Sequence, residues 1–270
     1  MAVIITAFFP MLFFFSTLFA YGAGRGQAGH PVLKGVSFRV QPGKVTTLIG
    51  ANGCGKTTLF NVMTKNCVPQ QGQVLLNGQD IGRISLREFA KQVAIVHQYN
   101  TAPADLEVEK LVEYGRLPFS SMWKGMNDED EACVDWALEV TDSAGFRKKK
   151  ISELSGGQRQ RVWLAMALAQ KTDILFLDEP TTYLDIKYQI EILRLVQELN
   201  RTLGLTVVMV LHDINQAAHF SDTIVGMRQG RIVVDGDASA VISQETIREI
   251  YSIDLTVKEL EAGKKFVLAV

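Results

Sequence analysis

A chain of 270 residues that is 47% apolar and 21% charged, with 28 basic against 29 acidic side chains, has the composition of a soluble globular protein. That composition excludes a disordered, collagen-like or polytopic membrane chain, and the length allows one large domain or two small ones. Three cysteines (Cys54, Cys67 and Cys133) are too few and too scattered for a disulfide framework or a zinc site, which points to a reducing compartment.

The charge is unevenly placed. No charged side chain precedes Arg25 and no acidic one precedes Asp80. Ala2 to Tyr21 is almost wholly apolar and long enough to span a bilayer. No Lys or Arg stands ahead of it, as a signal peptide would require. A first strand over Leu12 to Tyr21 behind a short apolar leader (1–11), a membrane anchor and a mis-assigned start all remain open. Val45 to Ile49 is a β-branched apolar run that predicts a buried strand ending at Gly50, with a helix from Lys56 to Met63 after a Gly-rich turn. Val74 to Leu76 enters an Asn77-Gly78 turn, and Ala94 to Val96 leads into His97-Gln98. From about Thr101 to Ser152 the apolar spacing is helical. Ile174 to Leu177 and Thr206 to Leu211 are further strands, ending at Asp178-Glu179 and at His212-Asp213. Ile224 to Met227 and Ile232 to Val234 read as an antiparallel hairpin. Strands alternating with helices predict an α/β fold with a mainly parallel sheet, and ligands in such sheets bind beyond the carboxyl ends of the strands.

Gly50-Ala51-Asn52-Gly53-Cys54-Gly55-Lys56-Thr57 follows a strand and opens a helix, the setting that a phosphate-binding loop requires. Its glycines would let backbone N–H groups turn toward phosphate oxygens, and the helix start adds its positive dipole end. Lys56 would neutralise the β- and γ-phosphates of a nucleotide, Thr57 would ligate Mg²⁺, and Thr58 continues the cradle. Bound ATP would shield Cys54 from maleimide; a small tolerated residue explains that cysteine equally well. Acids at the end of a buried strand are costly unless paired or bound to metal, which casts Asp178 on the Mg²⁺ shell and Glu179 as the group that polarises the attacking water.

Leu154-Ser155-Gly156-Gly157-Gln158 puts a helix-capping serine before two glycines that leave N–H groups bare, with Val162, Ala165, Met166 and Ala169 on one buried stripe and Arg159 and Arg161 exposed. Lying between a phosphate loop and a strand-end Asp-Glu pair, it resembles the signature motif of the ABC-type ATPases, and the resemblance runs from about Tyr21 to the C-terminus. It implies an ABC ATPase fold: a P-loop core with a mainly parallel sheet and an antiparallel β subdomain (12–97 and 161–270) and an inserted helical subdomain (about 98–160). Gln98 matches the Q-loop, sensing Mg²⁺ and the attacking water. Asp178 and Glu179 match Walker B and its catalytic acid, and Asp185 closes the D-loop. His212 matches the switch histidine. Tyr21 is the best match for the aromatic on adenine, with Phe38 as the alternative.

The same resemblance implies a head-to-tail dimer in which Ser155, Gly156, Gly157 and Gln158 of one copy close over ATP held by the other. The interval of 97 from Thr57 to Leu154 leaves no room for the long coiled coil of DNA-maintenance members, and a single motif set does not suit translation factors. A transporter subunit with separate permease polypeptides fits, peripheral on the cytoplasmic face of the membrane and fed indirectly by a substrate-binding lipoprotein, with no nucleic acid expected. A non-transport ATPase and an exporter subunit are the alternatives. Residues 178–186, Ala102 to Asp105, Tyr114 to Pro118 and Leu211 to Asn215 resemble ATPases of iron-siderophore, haem and cobalamin importers. Thr101 to Trp123 is expected to face the permease, so that charge reversal near Arg116 impairs transport and spares nucleotide binding.

Overall fold

The structure, a computed structural model, describes residues 13–19, 32–119, 125–259 and 265–268. The 1–11 leader and Tyr21 lie outside the described residues. In chain order the strands are β1 (Phe13–Phe19), β2 (Lys34–Val36), β3 (Arg39–Val40), β4 (Val45–Gly50), β5 (Gln71–Leu76), β6 (Gln79–Asp80), β7 (Val93–Val96), β8 (Ile174–Asp178), β9 (Thr206–Val210), β10 (Thr223–Arg228), β11 (Arg231–Asp237), β12 (Thr256–Glu259) and β13 (Lys265–Leu268). The helices are α1 (Lys56–Met63), α2 (Leu86–Ala90), α3 (Val108–Glu113), α4 (Asp128–Val140), α5 (Gly156–Ala169), α6 (Ile186–Leu203), α7 (Ile214–Phe220), α8 (Ala238–Val241) and α9 (Gln244–Tyr251). Strands alternate with helices as the sequence predicts, and the core strands begin and end within a residue or three of their expected bounds.

The chain folds as two compact units, Met1–Ile84 with Val208–Val270, and Ser85–Val207. In the first, β1 pairs antiparallel with β2, β3 and β5, with Phe13 opposite Val40 and Leu76. The strand reading of the apolar run therefore holds over Phe13–Phe19, and among the described residues no helix is long and apolar enough to cross a membrane. A second sheet in this unit runs β11-β10-β4-β9, with β10 parallel to β4 in a register that sets Met227 opposite Gly50. All six residues of β4 are buried, as a parallel strand covered on both faces must be. A helical tail of α8 and α9 and the hairpin β12-β13 complete the unit; the sequence reading assigned none of these pieces, although Ile247, Ile250 and Tyr251 of α9 stand at helical spacing.

In the second unit the strand order is β9-β8-β7, with β7 parallel to β8 and Val93 opposite Ile174. The helical segment packs on α5, which buries Val162, Trp163, Leu164, Ala165, Ala167, Leu168 and Ala169. Burial runs nearly all round this helix, where a single stripe was expected, because α3 and α4 both pack against it. Met166 is only half-buried, and Arg161 is engaged by Asp142 at 2.9 Å and Glu191 at 2.8 Å.

Arg116 corrects a functional expectation. Its side chain is 6% exposed, its Nε donates to Asp130 Oδ1 at 2.8 Å, its Nη1 donates to the Ala169 carbonyl at 2.9 Å, and its guanidinium lies 4.2 Å from the Phe119 ring centre. It is a tie inside the helical segment and presents no charge to a partner. Asp130 in turn completes the capping box with Asn127, so the acidic run Asp128 to Glu131 is a helix start complementing the α4 dipole. Arg147 and Lys148 of the basic run pair with Glu109 and Asp135. Truncating one partner of a buried pair leaves the other charge uncompensated. Asp130→Ala is therefore expected to lower the urea unfolding free energy by about 3–5 kcal/mol, against under about 1 kcal/mol for the exposed Lys91–Glu88 pair.

Candidate functional site

The phosphate loop is built by one steric constraint. Gly50 ends β4 at φ +150°, and a Cβ there would stand 2.4 Å from the Met227 carbonyl oxygen and 2.7 Å from Cys54 Sγ. Only glycine lets the chain turn so close to its neighbouring strand. The loop then reaches Gly55, a left-handed N-cap at φ +110°, and α1 begins at Lys56 with no side-chain cap and no acid in its first turn. Its leading N–H groups are thus left for an anion. The Lys56 ammonium is buried and folds back along the loop, donating to the Gly50 carbonyl at 2.7 Å and the Ala51 carbonyl at 3.2 Å. Asn52, Gly53 and Thr57 are exposed and Thr58 is half-buried. Bare N–H groups, one ammonium and an exposed hydroxyl at the helix start form a donor set suited to a nucleotide's phosphates with a hard, oxygen-seeking cation on Thr57. Cys54 is 5% exposed, so the fold itself covers most of this thiol.

In the same unit the Leu211 N–H donates to the Leu48 carbonyl at 3.2 Å, and His212 follows, exposed, just ahead of Asp213, which caps α7 by accepting from the Gln216 N–H at 2.9 Å. Tyr251, at the end of α9, was not singled out in the sequence. Burial pushes its phenol up to about 12, and its hydroxyl faces the Gly50 backbone without meeting hydrogen-bond geometry to any partner among the described residues.

The second unit carries the carboxylates. Asp178 is the buried last residue of β8, and Glu179 follows in the left-handed region at φ +50°. That turn aims the Glu179 carboxylate so that its Oε2 accepts from Gln98 Nε2 at 2.5 Å and from Thr182 Oγ1 at 3.1 Å. Gln98 and Glu179 are 81 residues apart in sequence, and the fold brings them together. Tyr99 and Tyr183, each next to this network, join their hydroxyls at 3.1 Å; sequence gave no hint of that pair. Asp185 is the exposed N-cap residue of α6.

Ser155 caps α5 as expected, but within a full capping box: Gln158 N–H donates to Ser155 Oγ at 3.3 Å, and Ser155 N–H donates to Gln158 Oε1 at 3.0 Å. Gly156 has ordinary space beside it, whereas a Cβ on Gly157 would stand 2.5 Å from the Tyr188 ring. The second glycine of the signature is thus fixed by packing against α6.

The family described as ABC transporter matches residues 33–182. The chain is 43% identical over 234 residues to the iron(3+)-hydroxamate import ATP-binding protein FhuC of Bacillus subtilis (strain 168), covering 87% of each chain. It is 42% identical over 226 residues to the petrobactin import ATP-binding protein FpuC of Bacillus anthracis, covering 83% of each. Among solved structures it resembles a dimeric ATP-binding cassette in a post-hydrolysis state bound to ADP and Pi, with TM-score 0.71, 28% identity, and coverage of 84% of this chain and 98% of that one.

Two outcomes test this geometry. Gly157→Ala is expected to destabilise the protein by about 1–3 kcal/mol through overpacking, with Tyr188→Ala in the same chain relieving most of the clash. For Tyr251 the folded pKa lies above the unfolded one, so its contribution to stability is fully present below about pH 10 and is lost as pH rises through about 12. Tyr251→Phe should flatten that part of the unfolding free energy measured from pH 9 to 12, and cost little at neutral pH.

Proposed function

This chain belongs to the ABC transporter family of ATP-binding proteins, and from that premise we propose that it is the ATP-hydrolysing subunit of a bacterial iron-siderophore importer, working as a head-to-tail pair beneath separate permease subunits. The substrate class is supported by relatives near 40% identity over more than four-fifths of the chain, whose names specify hydroxamate and petrobactin import. The catalytic reading is carried by one observation, the Glu179 carboxylate held by Gln98 and Thr182.

In this reading Gly50 to Thr58 wrap the phosphates with backbone N–H groups, and Lys56 exchanges its two loop carbonyls for phosphate oxygens. Mg²⁺, held by Thr57, Gln98 and Asp178, would neutralise charge on the β- and γ-phosphates. Glu179 orients the attacking water and takes its proton, and Gln98, already bonded to that carboxylate, senses the water's arrival. His212 holds the γ-phosphate. Ser155, Gly156, Gly157 and Gln158 of the second copy, with its Asp185, close the site. Adenine would stack on Tyr21. ATP binding draws the two copies together, and about 98–160 acts as the helical subdomain that passes the motion on. Tyr99, Tyr114, Leu117 and Phe119 stay exposed at 69%, 48%, 61% and 38%, which supports a permease loop resting on this segment, with the subunit at the cytoplasmic membrane face. A binding lipoprotein would deliver the ligand from the other side.

Glu179→Gln is expected to lower kcat for ATP hydrolysis by roughly 10²–10⁴-fold while nucleotide binding survives and ATP-bound dimers accumulate on size exclusion. Hydrolysis at the parent rate would refute the base assignment. In vesicles with its permease, ATPase activity should rise when the binding lipoprotein carries a ferric hydroxamate; a rise on adding nucleic acid instead would refute the transport reading.

A further inference from the structure

Asn215, in the Leu211-His212-Asp213-Ile214-Asn215 stretch, has no part in the mechanism above. Asn215 lies in the first turn of α7, three residues after His212. Its side-chain amide spans 52 residues of sequence to grip a single backbone unit: Asn215 Nδ2 donates to the Val267 carbonyl at 3.0 Å, and the Val267 N–H donates to Asn215 Oδ1 at 2.7 Å. Both backbone groups of Val267 are spent on this amide, which makes Val257 and Val267 the non-hydrogen-bonded kind of antiparallel pair and leaves Asn215 acting as a third strand along β13. Val267 is 4% exposed, so the grip is seated in packed surroundings.

Neither side of this contact is rigid by itself. A two-stranded hairpin is marginal in water unless docked, and a seven-residue helix is too short to hold its own geometry. His212 sits between two anchored points, since α7 itself packs on β4 and α8 and buries Ala217 and Phe220. On one side Leu211 is bonded to Leu48 of β4; on the other the chain enters α7 through the Asp213 cap. What fixes the first turn of α7 therefore bears on the histidine's backbone, and Asn215 ties that turn to β13 by two bonds.

We propose that Asn215 is a positioning residue for His212, using the C-terminal strand as its anchor, so that a segment well outside the matched 33–182 region sets the geometry of γ-phosphate contact. This rests on the assignment of His212 to the γ-phosphate made above.

The test is a double-mutant cycle on the full chain with Asn215→Ala, His212→Ala and the pair, reading kcat and KM for ATP, the Kd of a fluorescent ATP analogue, and thermal unfolding. Asn215→Ala is expected to lower kcat about tenfold while KM and Kd move less than about twofold, and the pair is expected to be no slower than His212→Ala alone. Asn215→Asp, which keeps the acceptor and loses the donor, should fall between Asn215→Ala and the parent, and it serves for the cycle where Asn215→Ala does not fold. An unchanged kcat in the Asn215 variants, or losses that multiply in the pair, would overturn the proposal and leave Asn215 a tether for the hairpin. A parent-like kcat in His212→Ala would overturn the assignment of His212 and this proposal with it.

Discussion

The Met227 carbonyl oxygen stands 2.4 Å from the point where any side chain at residue 50 would begin, and most of the phosphate half of the protein follows from that distance. Because β4 and β10 run parallel in a register that sets Gly50 against Met227, the chain leaves the sheet in a conformation open to glycine alone. The turn delivers Gly55 as a left-handed cap, and α1 starts without a side chain over its N–H groups. Lys56 then fills the loop it will surrender to phosphate, its ammonium satisfied by Gly50 and Ala51 carbonyls, which removes the cost of keeping a buried cation unpaired.

The carboxylate half depends on a different kind of constraint. Glu179 occupies the left-handed region, uncommon for a residue with a side chain, and two donors on its carboxylate compensate. One of them, Gln98, comes from the far end of β7, and the next residue, Tyr99, reaches the D-loop through Tyr183. Gln98 and Tyr99 thereby connect one loop both to the carboxylate proposed as the base and to the loop that leads into Asp185. This suits an ATPase whose hydrolysis answers to a partner on the surface that bears Tyr99.

How much of this was legible in the sequence depends on the physics of each signal. The phosphate loop, the strand-end acids and the Ser-Gly-Gly-Gln cap were readable because each packs its function into contiguous residues whose types are dictated by backbone geometry. The apolar run before Gly22 left strand, membrane anchor and mis-assigned start open, because what places Phe13–Phe19 is register with neighbouring strands, which no local pattern contains. Arg116 was misread because charge in a polar stretch looks the same whether it meets water or a buried Asp130. The Asn215 to Val267 grip and the Tyr99 to Tyr183 bridge were invisible for a related reason. They join residues 52 and 84 apart through a side chain whose type, amide or phenol, is unremarkable where it stands.

The two glycine-led helices of the ATPase site show how one motif, a helix N-terminus, is tuned for two tasks. At α1 nothing caps the first N–H groups, so a phosphate meets donors that lack any competing partner in the helix itself. At α5 one of the leading donors is already in use: Gln158 N–H points at Ser155 Oγ, and the Gln158 side chain answers on the Ser155 N–H. A hydroxyl that accepts one bond still holds a proton to donate. Ser155 can therefore keep the helix capped and offer its O–H to a γ-phosphate arriving from a second copy, without breaking the cap. In the proposed dimer the helix that cradles the phosphates starts without a side-chain cap, whereas the helix that meets them on closure keeps its serine cap. One hydroxyl would thus serve the helix start in the open state and both the helix start and the γ-phosphate in the closed one.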